Sequence, residues 1–442
     1  MRPIRATGGL IDGLLLSAAL LCASACADEL SPNQGLLGDW GGLRSRLYQR
    51  GVDFQLGYTS ELAYNPQGGD RHLARMADQV AVGATFDLDK LIALPSATFQ
   101  ITITDRNGQN LSDEADLHTL QQVQEIYGRG TTWRWTQFWY DQVLFDGKLD
   151  LKLGRMGVGE DFMSFSCLFE NLTFCGSLPG NIVSTWYNWP VSQWGARVKF
   201  NFASNWYAKI GAYQLNPGYL DTRNSFRLNN PDGTVGALLP AEVGWTPKLG
   251  AAGLPGSYRI GLWYDSSNQP DVFLAANNQP LALNPGLSPR IRKSESGGYA
   301  MVQQQITSVR GDRSRGLSLF ANFVQADRNT ARIDQLISLG IFYTGPFDAR
   351  PRDDLGFAAG RTHVNGRVAD GQALQNAADM ESVPLPGSEI PLELYYSVNI
   401  ACRPTSTCGM TLRPNIQYIL RPGGASQSTD VVVIGLKTIF RF

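Results

Sequence analysis

The sequence predicts an all-β protein, a transmembrane antiparallel β-barrel of about sixteen strands. Three observations predict it. Segments with one apolar and one polar face recur along the chain at a period of two residues, the pattern of a strand with unlike environments on its two sides. The connections between those segments alternate between short and long. The composition is that of a chain with a wet side: 17% of the 442 residues are charged and 10% aromatic, glycine occurs 47 times, and mean hydropathy is −0.18. A helical membrane protein would instead carry apolar runs of roughly 20 residues, and none follows the first 30 positions. A net charge of −1 argues against a nucleic-acid partner.

The alternation is clearest in the last segment. There Val432, Ile434, Leu436, Phe440 and Phe442 share one face, while Gly435, Lys437 and Arg441 take the other. Tyr258, Ile260, Leu262 and Tyr264 alternate with Arg259, Gly261, Trp263 and Asp265, and Leu392, Leu394 and Tyr396 alternate with Glu393 and Ser397. Strand starts fall near Val52, Gln79, Ala97, Trp133, Leu149, Gln193, Trp206 and Ala241 in the first half. In the second half they fall near Tyr258, Gly298, Gly316, Arg332, Asp354, Glu389, Met410 and Asp430. An even count suits a single-chain bacterial barrel. With the N-terminus in the periplasm, the inside connections are short: Asp146-Gly147, a strong hairpin signal, and Ala203-Ser204-Asn205. The outside ones are long, at 106–131, 158–192, 266–296 and 363–388.

Residues 1–27 read as an export signal: Arg2 and Arg5, an apolar stretch from Leu14 to Leu21, then Ala25-Cys26-Ala27 before Asp28. Residues 28–51 form a periplasmic N-terminal segment in which Leu43 and Leu47, four apart, suggest a short helix; 52–442 form the barrel. Ser112 to Tyr127 is a second helical candidate, inside a loop. Four cysteines remain after the signal, in two local pairs in an oxidising compartment, and Cys167–Cys175 with Cys402–Cys408 is the natural pairing. A metal site is the rival reading, but no histidine lies near either pair. No cofactor motif is present.

From Gly35 to Gly69 the chain reads GLLGDWGGLRSRLYQRGVDFQLGYTSELAYNPQGG. This resembles the start of the carbohydrate-selective porin family (OprB type), in which a G-D-W-G-G-L-R block precedes the first strand. The blocks Trp139-Tyr140-Asp141-Gln142, Asp146-Gly147-Lys148-Leu149 and Leu153-Gly154-Arg155 match as well, as do Cys167-Leu168-Phe169-Glu170-Asn171 and Phe174-Cys175-Gly176. Asp141 stands where the family more often has Glu, one methylene longer. The resemblance implies a sixteen-stranded barrel of the Gram-negative outer membrane, with extracellular loops folded inward, that passes glucose and other monosaccharides. Expected partners are therefore glucose-like monosaccharides and the lipids and lipopolysaccharide of the outer membrane, with the barrel a monomer or a homotrimer. A general or anion-preferring porin without a sugar site is the alternative.

A sugar-selective pore needs aromatic faces for the CH face of a pyranose and charged or amide groups for its hydroxyls. The long loop after the fifth strand offers Glu160, Asp161, Glu170, Asn171, Trp186, Tyr187 and Trp189. Arg155 feeds that loop, although its parity matches outward-facing Leu151 and Leu153, so a bulge or the end of the strand must turn it inward. Inward parity adds Glu61, Arg197, Lys199, Arg259, Asp265, Glu393, Arg413 and Lys437, of which Arg197, Arg259 and Glu61 are the first candidates for solute contact. The candidate binding set is thus Glu61, Asp141, Arg155, Glu170, Asn171, Trp186, Trp189, Arg197 and Arg259. Trp133, Trp135 and Trp206 read as interface-girdle residues. His72, His118 and His363 fall in predicted loops, and no catalytic constellation or nucleotide-binding motif accompanies them, so enzymatic activity is not expected.

Overall fold

The computed structural model describes residues 35–229, 232–400 and 409–442. The export signal and the Cys402–Cys408 pair lie outside these. Sixteen long strands close one antiparallel sheet on itself. They are β1 Val52–Gln67, β2 Ala74–Asp87, β3 Ala97–Gly108, β4 Thr132–Leu144, β5 Leu149–Met156, β6 Gln193–Ala203, β7 Trp206–Leu215 and β8 Gly236–Trp245. There follow β9 Leu254–Asp265, β10 Glu295–Gln305, β11 Gly316–Gln325, β12 Ile333–Thr344, β13 Asp354–Val364, β14 Ser388–Ile400, β15 Met410–Leu420 and β16 Val431–Arg441. A two-residue strand, Lys248–Leu249, and a small hairpin, Gln269–Ala275 with Pro289–Arg292, lie in connections.

Each strand pairs with its sequence neighbours, and β1 pairs with β16, which removes every free edge. The closing register sets Glu61 opposite Lys437 and Leu62 opposite Leu436. Alternation then assigns the faces. Leu62, Leu153, Val198, Ile260, Leu339, Leu394 and Ile434 are exposed, while their neighbours Glu61, Lys152, Arg197, Arg259, Ser338 and Glu393 are buried. In a closed barrel the exposed apolar face meets lipid and the polar face turns inward. The short-turn rim carries an aromatic belt: Trp206 stacks on Trp245 at 5.6 Å, and Trp245 meets Tyr258 at 5.1 Å.

The strands start where alternation begins, within a few residues of the predicted positions. The larger differences are β2, which starts at Ala74 rather than Gln79, and β8, which starts at Gly236 rather than Ala241. In β2 the charged Arg75 and Asp78 hide the period, and in β8 the adjacent Leu238 and Leu239 followed by Pro240 break it. Asp146 and Gly147 both take positive φ, 52° and 83°, as the tightest hairpins demand. A short helix, Leu43–Gln49, precedes β1, and Arg44 ties it to the end of the chain by donating to Phe442 O at 3.1 Å. His363 belongs to β13 rather than to a loop, and its Nδ1 lies 2.6 Å from the Asp334 carboxylate.

Inside one part of the wall, aromatic rings lie flat on glycines of the neighbouring strand. A Cβ on Gly297 would sit 2.1 Å from the Trp263 ring, and one on Gly261 would sit 2.2 Å from Tyr299. These rings form the floor on which the 157–192 segment packs: Trp186 meets Trp263 at 5.5 Å and Tyr299 at 6.2 Å. The lipid face gives a direct test. Leu339→Arg, in the middle of β12, is expected to destabilise the barrel by about 2–4 kcal/mol, whereas the inward neighbour change Ser338→Thr costs much less; urea titration in lipid vesicles reads the difference.

Candidate functional site

Two connections leave the long-loop rim and are bonded to inward-facing strand residues: 109–131, between β3 and β4, and 157–192, between β5 and β6. The bonds are of one kind. A carboxylate on the wall accepts backbone N–H groups from the connection. Glu389 takes Leu120 N at 2.6 Å and Gln121 N at 3.3 Å. Glu61 takes Ile126 N at 3.1 Å. Glu393 takes Glu170 N and Asn171 N, each at 2.8 Å. Glu242 takes Met163 N at 2.9 Å. Wall cations take the carbonyls: Arg259 donates to Ser164 O at 2.9 Å, Arg413 to Leu168 O at 2.6 Å and Lys437 to Phe169 O at 3.2 Å. Irregular backbone away from water needs such partners, and charged acceptors make the stronger bonds, about 1.5–3 kcal/mol each.

These bonds explain why Ser112 to Tyr127 is not a helix. Only Leu111–Glu114 makes one turn, and the following amides bond to Glu389 and Glu61 rather than to carbonyls four residues back. The disulfide Cys167–Cys175 closes the other connection next to the Glu393-bound amides.

Most sequence candidates are consumed in this seam between connection and wall. Glu61 pairs with Lys437 at 2.9 Å. Arg197 is held by Asp141 at 3.0 Å, Asp150 at 2.6 Å and Asp161 at 3.4 Å. Glu170 accepts from Asn415 Nδ2 at 2.5 Å, and Asn171 donates to Gln417 Oε1 at 3.0 Å. Trp186 is fully buried and donates to Ser177 Oγ. Arg155 requires a correction. Its register partner is Phe138, an outward residue, so no bulge turns it inward. Its guanidinium lies beneath residues 216–228, donating to Arg227 O at 2.8 Å and Ser192 O at 3.0 Å, 4.4 Å from the Tyr219 ring centre. Lys152 holds the inward position instead, 3.3 Å from Asp161 and 4.3 Å over the Trp139 ring. Neighbouring carboxyls on that connection are driven apart. Burial pushes Glu160 upward; burial also acts on Asp161, but Lys152, Arg197 and Lys209 outweigh it and hold Asp161 below the usual carboxylate range.

What remains open is a passage of two cavities, about 420 and 470 Å³. The first lies among connection residues at the long-loop rim; the second reaches Gln55, Thr98 and Thr411 near the short-turn rim. Arg106, Glu125, Cys167 and Trp189 line both, so the two cavities meet at these residues. Gln79 Oε1 orients two of these, accepting from Arg106 Nε at 2.8 Å and Trp189 Nε1 at 2.9 Å. Lys437 Nζ fixes a third by donating to Glu125 Oε1 at 2.7 Å. Of the nine-residue candidate binding set, Trp189 alone lines these cavities; Glu160, Arg413 and Lys437, which the sequence also offered, line them as well. Arg106 was missed although β3 signals it, because Gln100, Thr102 and Thr104 share its face against Phe99, Ile101 and Ile103. Glu125 lies in irregular backbone and has no periodic signal.

A closed sixteen-stranded barrel with an apolar belt and a polar, aromatic-edged passage defines an outer-membrane porin. Residues 71–442 match the model of the "Carbohydrate-selective porin, OprB family", and the chain belongs to that family. It is 46% identical to Porin B of Pseudomonas aeruginosa over 99% of this chain and 98% of that protein. The structure of Pseudomonas putida OprB at high pH superposes with a TM-score of 0.88 at 44% identity, covering 93% of this chain and 99% of that one. The same protein at low pH gives 0.59 at 34% identity over the same shares. The chain is thus a sugar porin of the Gram-negative outer membrane, a channel rather than an enzyme.

The seam predicts its own perturbation. Glu393→Ala leaves the Glu170 and Asn171 amides without an acceptor, weakening the attachment by about 3 kcal/mol. Single-channel recording is expected to show larger, noisier conductance, with Glu393→Gln intermediate because it keeps one acceptor oxygen.

Proposed function

We propose that the 109–131 and 157–192 segments lie inside the barrel and narrow it to a neck that selects glucose-like monosaccharides. The observation that carries this reading is the convergence of Trp189, Arg106 and Glu125 on both cavities. The indole supplies an apolar face for the CH face of a pyranose. The Arg106 guanidinium supplies donors directed at ring hydroxyls, and Glu125 supplies acceptors. Charged partners make the stronger hydrogen bonds, so a few contacts suffice to replace part of the sugar's hydration. Their partners in the protein, Gln79 and Lys437, hold them ready, which limits the ordering cost of binding.

Below the neck, inward amides and hydroxyls continue the polar route. Gln55 donates to Thr85 at 2.8 Å, Gln100 to Thr102 at 2.9 Å, and Thr102 to Gln137 at 2.6 Å. Such groups exchange hydrogen bonds with a passing polyol without trapping it, and conduction requires binding that remains weak. Passive diffusion is the mode of passage that such weak, exchangeable contacts support.

The test is glucose titration of single-channel current in a planar bilayer. Concentration-dependent block is expected, with Trp189→Ala and Arg106→Gln each raising the half-blocking concentration about tenfold, or roughly 1.4 kcal/mol. Arg197→Ala, a seam residue, is expected to alter conductance more than sugar block. Unblocked current in the unaltered protein would reduce the reading to a general porin.

A further inference from the structure

The outward wall is polar in one sector near the long-loop rim. Among the described strand residues, the cations that face outward there are Arg155 and Arg361. Arg155 is covered by residues 216–228. Arg361, near the end of β13, shares the outward face of Phe357 on its own strand and of Ile337 and Leu339 on β12. Its bonds go to neutral groups: Nε donates to Ser388 Oγ at 2.9 Å and Nη1 to Gln335 Oε1 at 2.7 Å. Among the described residues it has no ion pair, and its Nη2 makes no hydrogen bond. Gln335 extends the row, donating to Gln325 Oε1 at 3.3 Å. The adjacent strands β11, β12, β13 and β14 thus carry a ladder of polar side chains on the outside, with one cation and no carboxylate in it.

The ladder adjoins a bulge. Ile333 pairs with Val364 and Gln335 with His363, so Asp334 is the extra residue. Bulges re-aim side chains, and here the buried Asp334 carboxylate meets His363 Nδ1 at 2.6 Å and Arg328 Nε at 3.4 Å. His363 lies two residues on from Arg361 on the same face. Asp334 therefore ties the exposed Arg328, in the 326–332 connection, to the end of the ladder. The other carboxylate of that connection, Asp327, is used by its own turn, accepting from Asn329 N at 2.8 Å and Asn329 Nδ2 at 3.1 Å. Asp271 of the neighbouring connection is outnumbered by Arg292 at 2.6 Å and Arg367 at 3.0 Å, and Arg367 reaches Asn329 Oδ1 at 2.6 Å. The sector from β11 to β14 thus holds an excess of positive charge. On β2 and β3 the outward positions near this rim hold Asp78 and Asp105 instead.

We propose that Arg361 and Arg328 form a docking site on the outside of the barrel for a phosphate of lipopolysaccharide, with its acyl chains on the apolar wall below. The lipid joins phosphate groups to several acyl chains, and the sector matches both halves. Guanidinium groups stand at the rim, and the exposed Leu339, Ile341 and Phe357 lie beneath them. An arginine on the lipid face without a carboxylate partner is stable only where its head reaches water or anionic headgroups. The planar fork of Arg361 suits phosphate oxygens, and its unused Nη2 supplies donors. Exposed Tyr264 and Tyr418, on the outward face near the same rim, mark the headgroup level. That rim faces the outer leaflet, so the height of the site selects lipopolysaccharide over the phospholipids of the inner leaflet. The site lies on the far side of the wall from the passage and does not rest on the reading of the neck.

The test titrates the detergent-solubilised full-length channel with bisphosphorylated lipid A, its monophosphorylated form and phosphatidylglycerol, reading bound lipid by native mass spectrometry. Bisphosphorylated lipid A is expected to bind tightest. The double change Arg361→Gln with Arg328→Gln is expected to weaken it about tenfold, and Arg361→Lys to keep part of the affinity, because an ammonium retains the charge and loses the fork. Single-channel conductance of the double variant is expected to match that of the unaltered protein, which shows that the barrel has closed. Should Arg361→Gln disturb the wall, Arg328→Gln alone, in an exposed connection, still lowers the affinity. Lipid A affinity untouched in the folded double variant overturns the site. Phosphatidylglycerol bound as tightly as lipid A overturns the assignment to lipopolysaccharide.

Discussion

The structure depends on one interaction repeated around the barrel: a wall glutamate accepting the backbone N–H groups of a segment that has no regular structure. Each side of that bond solves the other's problem. An inward carboxylate excluded from water needs donors, and an irregular segment excluded from water needs acceptors. Glu61, Glu242, Glu389 and Glu393 meet both needs at once. Remove the carboxylates and the segments lose their attachment; remove the segments and the wall holds unpaired charge.

The same bonds set what a solute can meet. Because the wall acids Glu61, Glu242, Glu389 and Glu393 are turned into the seam, they do not line the cavities, whose lining is left to cations, amides, hydroxyls, tryptophans and the connection acids Glu125 and Glu160. Lys437 joins the two systems. It closes the β1–β16 seam through Glu61, holds Phe169 O of one connection and orients Glu125 of the other. The residue that completes the barrel therefore also positions a neck acid, so the barrel closure and the neck geometry share a hydrogen-bond network.

Outward, the structure answers to lipid in a simpler way. The belt of Leu, Val and Ile needs no particular partners, only the right parity, and aromatic rings such as Trp206 and Trp245 mark its lower edge. The exterior near the long-loop rim is different. Residues 216–228 cover Arg155, Trp135 and Trp194, each of which donates to a carbonyl of that segment: Arg227 O, Phe226 O and Leu228 O respectively.

The sequence by itself determined the strands, their number and their faces, because a period of two with unlike environments writes itself into residue type at every position. It also determined the parity of Arg155, and the parity was the better guide than the wish to bring that charge inward. Tertiary structure alone decided which inward residues line the cavities. Arg197, Asp141, Glu61 and Arg259 have the right face, but each is engaged by another part of the wall or by a connection distant in sequence. Glu125 and Trp189 have no face to be read from, since irregular segments carry no period. Their places are set by hydrogen bonds to Lys437 and Gln79, more than a hundred residues away in the chain. Strand identity is a local property of the chain, whereas a neck is made by long-range bonds that exist only after the barrel has closed.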